Sequence, residues 1–170
     1  MGRYLIVANQ TLGAEGLDRE VRERIERGER GEARFFVLVP RIAPQREAVA
    51  WSFGYSAAAD QEAAAAGSAF QRDTRQREAR FEARFEARRR AERRLDQMVD
   101  AIRAAGGKAT GRVGEEDVTA AVRTLLEERS FDEIIISTLP TGISRWLKTG
   151  VPRQVARMTD IPVITVEAKG

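Results

Sequence analysis

The chain has 170 residues, with 29 Lys and Arg against 26 Asp and Glu, a formal net charge of +3, and neither cysteine nor histidine. This length suits one hydrophobic core, and no apolar run approaches the roughly 20 residues of a membrane-spanning helix. Without cysteine there are no disulfides, thiolate metal sites or thiol nucleophiles, and without histidine the commonest general base and metal ligand is missing.

The start of the chain, MGRYLIVANQT, lacks the basic-then-apolar layout of a signal peptide. We therefore expect a cytoplasmic protein with no membrane partner. The residue inventory predicts that it is not an enzyme, with no catalytic residues and no metal site.

The first 40 residues predict a strand, a helix and a second strand. Residues 4–8 form a continuous apolar run that is too short for a helix and is typical of a strand buried on both faces. Apolar residues then recur at four-residue spacing up to Gly28, which indicates an amphipathic helix; they are Leu17, Val21 and Ile25. A second apolar run, residues 35–39, stops at Pro40. The three elements predict a right-handed βαβ unit.

The pattern changes between residues 41 and 105. Residues 41–56 have no clear periodicity and predict a loop, whereas residues 57–105 are almost all helix formers and include the repeat ARFEARFEARRRAERR. We expect one long helix or two abutting ones, longer than the sheet can cover, with the first half projecting or packing on a partner chain. Its apolar residues are expected close to one face: Phe81, Phe85, Leu95, Met98, Val99 and Ile102.

The second half repeats the alternation of strands and helices. Residues 108–113 and 133–137 predict strands, and Asp117 is placed to cap the helix between them. Pro152 suits the first turn of another helix, before a final strand at residues 163–166. The predicted fold class is α/β, with a five-stranded parallel doubly wound sheet. We expect one domain over residues 1–170, with residues 41–105 as a loop and a long helical insertion.

Two loops lie where such a sheet binds ligands, beyond the carboxyl ends of its strands. These loops, residues 9–16 and 137–150, contain hydroxyl and amide side chains suited to phosphate oxygens: Asn9, Thr11, Ser137, Thr138, Thr141, Ser144 and Thr149. Backbone amides at a helix start would add to them. Serine, threonine and glycine are also ordinary turn and cap residues, so a purely structural interpretation stays open.

Residues 132–166 resemble the universal stress protein family, whose closing pattern is Gly-x-x-Gly, nine residues, Gly-Ser/Thr, a short helix and Pro-Val-x-x-Val. Here the run GISR, which starts at Gly142, matches the family's central Gly-Leu-Ser-Arg, and Thr149 and Gly150 stand where Gly-Ser/Thr is expected. The resemblance implies the fold related to adenine-nucleotide alpha hydrolases, a stress-response role, ATP or AMP as the ligand, and a homodimer formed through the last strand.

The chain departs from the family pattern in the loops that hold the nucleotide. Ser137 and Pro140 occupy the places of the first two glycines, and Asn9 stands where the family has an acid after strand one. Proline cannot donate a backbone amide, and its ring obstructs close approach. We therefore predict a non-catalytic regulatory module whose nucleotide binding is weak or lost. The first alternative is a functional ATP or AMP site.

A second alternative is nucleic-acid binding through the arginine-rich helix. Two acid–arginine pairs, Asp73 with Arg77 and Glu86 with Arg90, have i, i+4 spacing, which predicts that acids interrupt the positive face. We therefore expect a solvated or dimer-packing helix and no nucleic-acid partner. The helix face of the two phenylalanines offers a second dimer surface beside the edge strand.

Overall fold

A computed structural model of the protein describes residues 2–8, 15–28, 32–42, 69–139 and 144–167. The strands are β1 (Arg3–Ala8), β2 (Arg34–Pro40), β3 (Lys108–Gly114), β4 (Glu133–Thr138) and β5 (Val163–Glu167). The helices are α1 (Glu15–Arg27), α2 (Ala69–Ala104), α3 (Val118–Glu128), α4 (Arg145–Lys148) and α5 (Val151–Met158).

The five strands form one sheet in the order β3-β2-β1-β4-β5, and every neighbouring pair is parallel. The chain runs outward from β1 to β3, then returns past β1 to place β4 and β5 on the other side. This confirms the predicted fold class, and it places β5 at an edge of the sheet, as expected. The strand order reverses between β1 and β4.

Helices cover both faces of the sheet, because the side chains of each strand point alternately to the two faces. On the first face, α1 and α2 pack on the sheet through Leu17, Val21, Ala91, Met98, Val99 and Ile102. On the second face, the remaining helices contribute Val118, Val122, Leu125, Trp146, Val151 and Val155. The strands β1, β2 and β4 are buried on both sides, which explains their continuous apolar sequences.

The cap positions follow the sequence. Asp117 begins α3, and its side chain accepts a hydrogen bond from the Ala120 amide at 3.0 Å. Pro152 lies in the first turn of α5, where its missing amide has no helical partner to lose. Among the described residues, no helix combines the length and hydropathy needed to cross a bilayer. The assignment of residues 1–170 to one domain stays a prediction.

The long helix α2 is seated on β2 and β3 by its C-terminal half. Gly111 of β3 lies beneath it, and a Cβ atom there would come within 2.3 Å of the Val37 carbonyl oxygen in β2 and within 2.6 Å of Leu95 Cδ1 in the helix. A glycine at this position therefore allows the helix to approach the sheet closely. Ala87 and Ala91 are also buried, and their side chains are small enough for the same surface of the helix to lie close to its neighbours.

The N-terminal half of α2 extends past the sheet. A helix of 36 residues is about 54 Å long, whereas strands of up to 7 residues reach only about 23 Å. Phe81 and Phe85 are accordingly 73% and 56% exposed. The projection was expected. Phe81 lies in line with Val99, five helical turns further on, so its exposure shows that this face is buried only where the sheet lies beneath it. The part of the predicted helix before residue 69 lies outside the described residues.

A buried arginine joins α1 to β4 at the amino edge of the sheet. Arg24 is only 2% exposed, and its guanidinium donates to both carboxylate oxygens of Glu133, at 2.6 and 2.9 Å, and to Glu20 Oε2 at 2.7 Å. Burial lowers the pKa of Arg24, but the hydrogen bonds and charges of Glu133 and Glu20 outweigh it and raise the pKa above its ordinary value. Arg24 therefore carries its charge in the interior.

Candidate functional site

The candidate site lies where the strand order reverses, at the carboxyl ends of β1 and β4. Ala8, the last residue of β1, is the register partner of Ser137 in β4. In open α/β sheets the two loops that leave such a point diverge to opposite faces and form a crevice that receives ligands. Ser137 and the following Thr138 are both fully buried, so the floor of this crevice is polar but enclosed.

Two of the predicted site residues contact each other. The hydroxyls of Thr138 and Ser144 form a short hydrogen bond, and both side chains are 0% exposed. Ser144 Oγ also accepts the Leu147 amide at 3.3 Å, which caps the first turn of α4. The bond between these hydroxyls therefore joins the end of β4 to the residue that precedes α4.

Thr149 and Gly150 lie at the other end of α4, where they connect it to α5. The Thr149 hydroxyl donates to the Trp146 carbonyl at 3.5 Å, and its own carbonyl accepts Gln154 Nε2 at 2.9 Å. Gly150 has φ +70°, in the left-handed region that glycine adopts without steric cost. Both residues therefore help to connect α4 to α5.

The remaining predicted site residues, Asn9, Thr11, Thr141 and Gly142, lie outside the described residues. The structure thus brings together Ser137, Thr138 and Ser144 (three of the nine predicted positions) and places Thr149 and Gly150 beyond α4.

Sequence reasoning did not assign a role to Trp146, which is buried and anchors α4 to the second face of the sheet. The signal that could have identified it is its size and apolar character within a loop otherwise rich in Ser, Thr and Gly. Because α4 has only four residues, this one side chain supplies most of its attachment.

The sheet order and the crevice define an open, doubly wound α/β protein of the kind that binds ligands at a topological switch point. Among solved structures, the chain is similar to a universal stress protein from Archaeoglobus fulgidus, with 15% identity, a TM-score of 0.53, and coverage of 97% of this chain and 94% of that one. It is also similar to a universal stress protein family protein from Arabidopsis thaliana with AMP bound, with 11% identity, a TM-score of 0.55, and coverage of 100% and 94%.

The chain therefore has the universal stress protein fold, as the resemblance of residues 132–166 predicted. At these identities the similarity concerns the fold. No protein-family model and no curated protein sequence matches the chain.

Proposed function

We propose that the protein is a non-catalytic regulatory module of the universal stress protein type, in which nucleotide binding is weak or lost. The observation that carries this proposal is the buried hydrogen bond between Thr138 and Ser144. Two hydroxyls that would otherwise be offered to a phosphate are bonded to each other, and both side chains are fully buried.

The energetic consequence is a loss of contacts to a bound phosphate. A neutral hydrogen bond contributes about 0.5–1.5 kcal/mol, and a phosphate would have to separate the Thr138–Ser144 pair before it gained one. Pro140 replaces a residue that could donate an amide and removes the flexibility of a glycine. Since about 1.4 kcal/mol is a tenfold change in affinity, losing two or three contacts moves a micromolar site toward millimolar.

A second candidate function is the binding of ATP or AMP. It is favoured by the Arabidopsis thaliana protein, which has this fold and AMP bound. In that case Thr141 and Gly142 would have to supply the phosphate contacts that the buried hydroxyls do not. The two candidates differ in the affinity of the unmodified protein for adenine nucleotides.

Isothermal titration with Mg-ATP and with AMP tests the proposal. We expect a dissociation constant near millimolar for the unmodified protein and no nucleotide in native mass spectra of the purified chain. Pro140→Gly should tighten binding, because it restores an amide and a flexible position, whereas Thr141→Ala is the matched control for the loop. A micromolar constant that weakens in Thr141→Ala would contradict the proposal and establish the second candidate.

We also propose that the protein is a homodimer formed through β5. This strand is at the sheet edge, where unpaired backbone groups are available to a second chain. Its side chains Val163 and Ile164 are half-buried, so a partner strand would complete their burial. A cytoplasmic location stays a prediction from the sequence, and a role in stress stays a prediction from the resemblance.

A further inference from the structure

The positive charge of the protein is concentrated in α2. Residues 69–104 contain 11 Arg and 7 Asp and Glu, so this helix has a net charge of +4 while the whole chain has +3. The rest of the protein is therefore close to neutral. Positive charge that is concentrated on one long helix favours the binding of an anionic partner there.

Four arginines of the projecting half share one side of α2; we call Arg77, Arg80, Arg84 and Arg88 the arginine row. Seven residues make nearly two full helical turns, so residues at that interval lie on one side. Arg84 precedes the buried Ala91 by seven residues, and Arg80 precedes Ala87 in the same way. The row therefore continues the surface that packs on the sheet.

The acids of the same segment lie on the opposite side. Glu78, Glu82 and Glu86 each precede a member of the arginine row by two residues, which places them about 200° around the helix. Glu86 pairs there with Arg90 at 2.9 Å. The predicted pair of Glu86 with Arg90 is therefore confirmed. Within residues 77–88, however, the arginine row lies on one side of the helix and the acids lie on the other.

The arginine row extends over the carboxyl edge of the sheet. α2 ends beside the start of β3, so it runs antiparallel to the strands, and its projecting half passes the edge at which they end. All four arginines of the row are exposed. Arg88, at the end of the row nearest the sheet, forms an ion pair with Glu92 at 2.8 Å.

Exposed aromatic rings border the row. Phe81 follows Arg77 by four residues and precedes Arg88 by seven, so its ring lies beside the row and is 73% exposed. Phe85 is one turn further, with the Arg89 guanidinium 5.9 Å from its ring centre. Guanidinium groups bind phosphates, and accessible aromatic rings stack on bases. A surface that has both kinds of group side by side is suited to nucleic acid.

We propose that the arginine row, with Phe81 and Phe85 beside it, binds single-stranded nucleic acid. The row covers 12 residues, and its first and last Cα atoms are about 16 Å apart along the helix, which is long enough for several successive phosphates. Arginine pairs with phosphate bidentately, and the aromatic rings accept unpaired bases irrespective of sequence. An anionic membrane fits less well, because residues 77–88 have two large apolar side chains and an acidic side opposite the row, not the wide apolar face of an interfacial helix.

Fluorescence anisotropy with labelled 20-nucleotide oligo(dT) and oligo(U) tests this proposal on the full chain. We expect saturable binding that weakens with salt. The double variant Arg80→Glu with Arg84→Glu should weaken it by at least about tenfold and reduce the salt slope by about 1.4, from two lost phosphate contacts on a single strand. Phe81→Ala should weaken binding by about tenfold through lost stacking, without changing the salt slope.

The matched control is Arg90→Glu with Arg93→Glu, which changes the net charge by the same amount on the side of α2 that faces away from the arginine row. This control should retain most of the binding, and circular dichroism should show all variants folded, since the substituted side chains are exposed. Equal losses in both double variants would overturn the proposal in favour of net charge alone. Absence of oligonucleotide binding, or binding only to phosphatidylserine vesicles, would also overturn it.

Discussion

Removing the Glu133 carboxylate should destabilise the protein strongly, because it leaves the Arg24 guanidinium buried beside a single acid. The substitution Glu133→Ala deletes two of the hydrogen bonds that hold Arg24, at 2.6 and 2.9 Å. Glu20 remains, with its carboxylate at 2.7 Å. Arg24 itself is almost wholly buried, so water can reach its guanidinium only through the space that the Glu133 side chain leaves.

The magnitude follows from the number and kind of bonds. Hydrogen bonds to charged groups contribute about 1.5–3 kcal/mol each, and breaking a buried ion pair by removing one partner costs about 3–5 kcal/mol. Because Glu133 is itself 18% exposed, water can enter its place, so the lower end applies. We expect a loss of about 3 kcal/mol, which for a protein of this size lowers the melting temperature by about 6–12 °C.

Urea and thermal denaturation followed by circular dichroism measure the effect. The matched control is Glu128→Ala, which breaks the exposed pair with Arg112 and should cost under about 1 kcal/mol. The double variant Arg24→Met with Glu133→Leu should recover most of the stability, because it removes the buried charge together with its partner. A loss below about 1 kcal/mol for Glu133→Ala, or equal losses in the single and double variants, would refute the reasoning.

Three further outcomes are expected. The Arg3 side chain donates a hydrogen bond to Asp132 and lowers the pKa of that carboxyl, so its contribution to stability is present above the ordinary pKa and is lost as pH falls through the lowered one. Asp132→Asn should therefore be less stable than the unmodified protein in urea at pH 7, with the difference disappearing below about pH 4; a constant difference would contradict this. Ser144→Ala should cost about 1–3 kcal/mol in thermal denaturation, because the buried hydroxyl of Thr138 loses its partner, while leaving the affinity for Mg-ATP unchanged. Thr165→Lys, at an exposed position of β5, should convert the proposed dimer to a monomer in light scattering at tens of micromolar, and a monomeric unmodified protein would refute the β5 interface.

The strands β1 and β2 could be predicted because they are buried on both faces. Residues 4–8 and 35–39 are continuous apolar runs bounded by polar residues or proline, and the structure places β1 and β2 within one residue of these limits. The weaker strand at Lys108 was recognised by its position between two helices, and its true end at Gly114 was missed by one residue. A short apolar run between two predicted helices has few interpretations other than a parallel strand.

The site was harder to predict because hydroxyl side chains have two uses. Thr138 and Ser144 read equally well as phosphate ligands and as turn residues, and only their mutual contact in the fold distinguishes these uses. The buried Arg24 was missed for a related reason. A helix that carries Arg and Glu on three sides gives no sign of which cation a neighbouring strand will bury, and Glu133 lies 109 residues away.

The seating of α2 makes the protein mechanically asymmetric. The helix is seated over Gly111, and none of its described side chains from residue 76 to residue 86 is buried, so it is a rod held at one end whose fixed part is about as long as its overhang. From Ala87 to Ala69 the overhang measures about 27 Å, and a tilt of about 10° at the fixed part moves its tip by about 5 Å. A side chain at position 111 that moves the helix slightly away from the sheet would therefore displace the N-terminal end of α2 more than any other part of the helix.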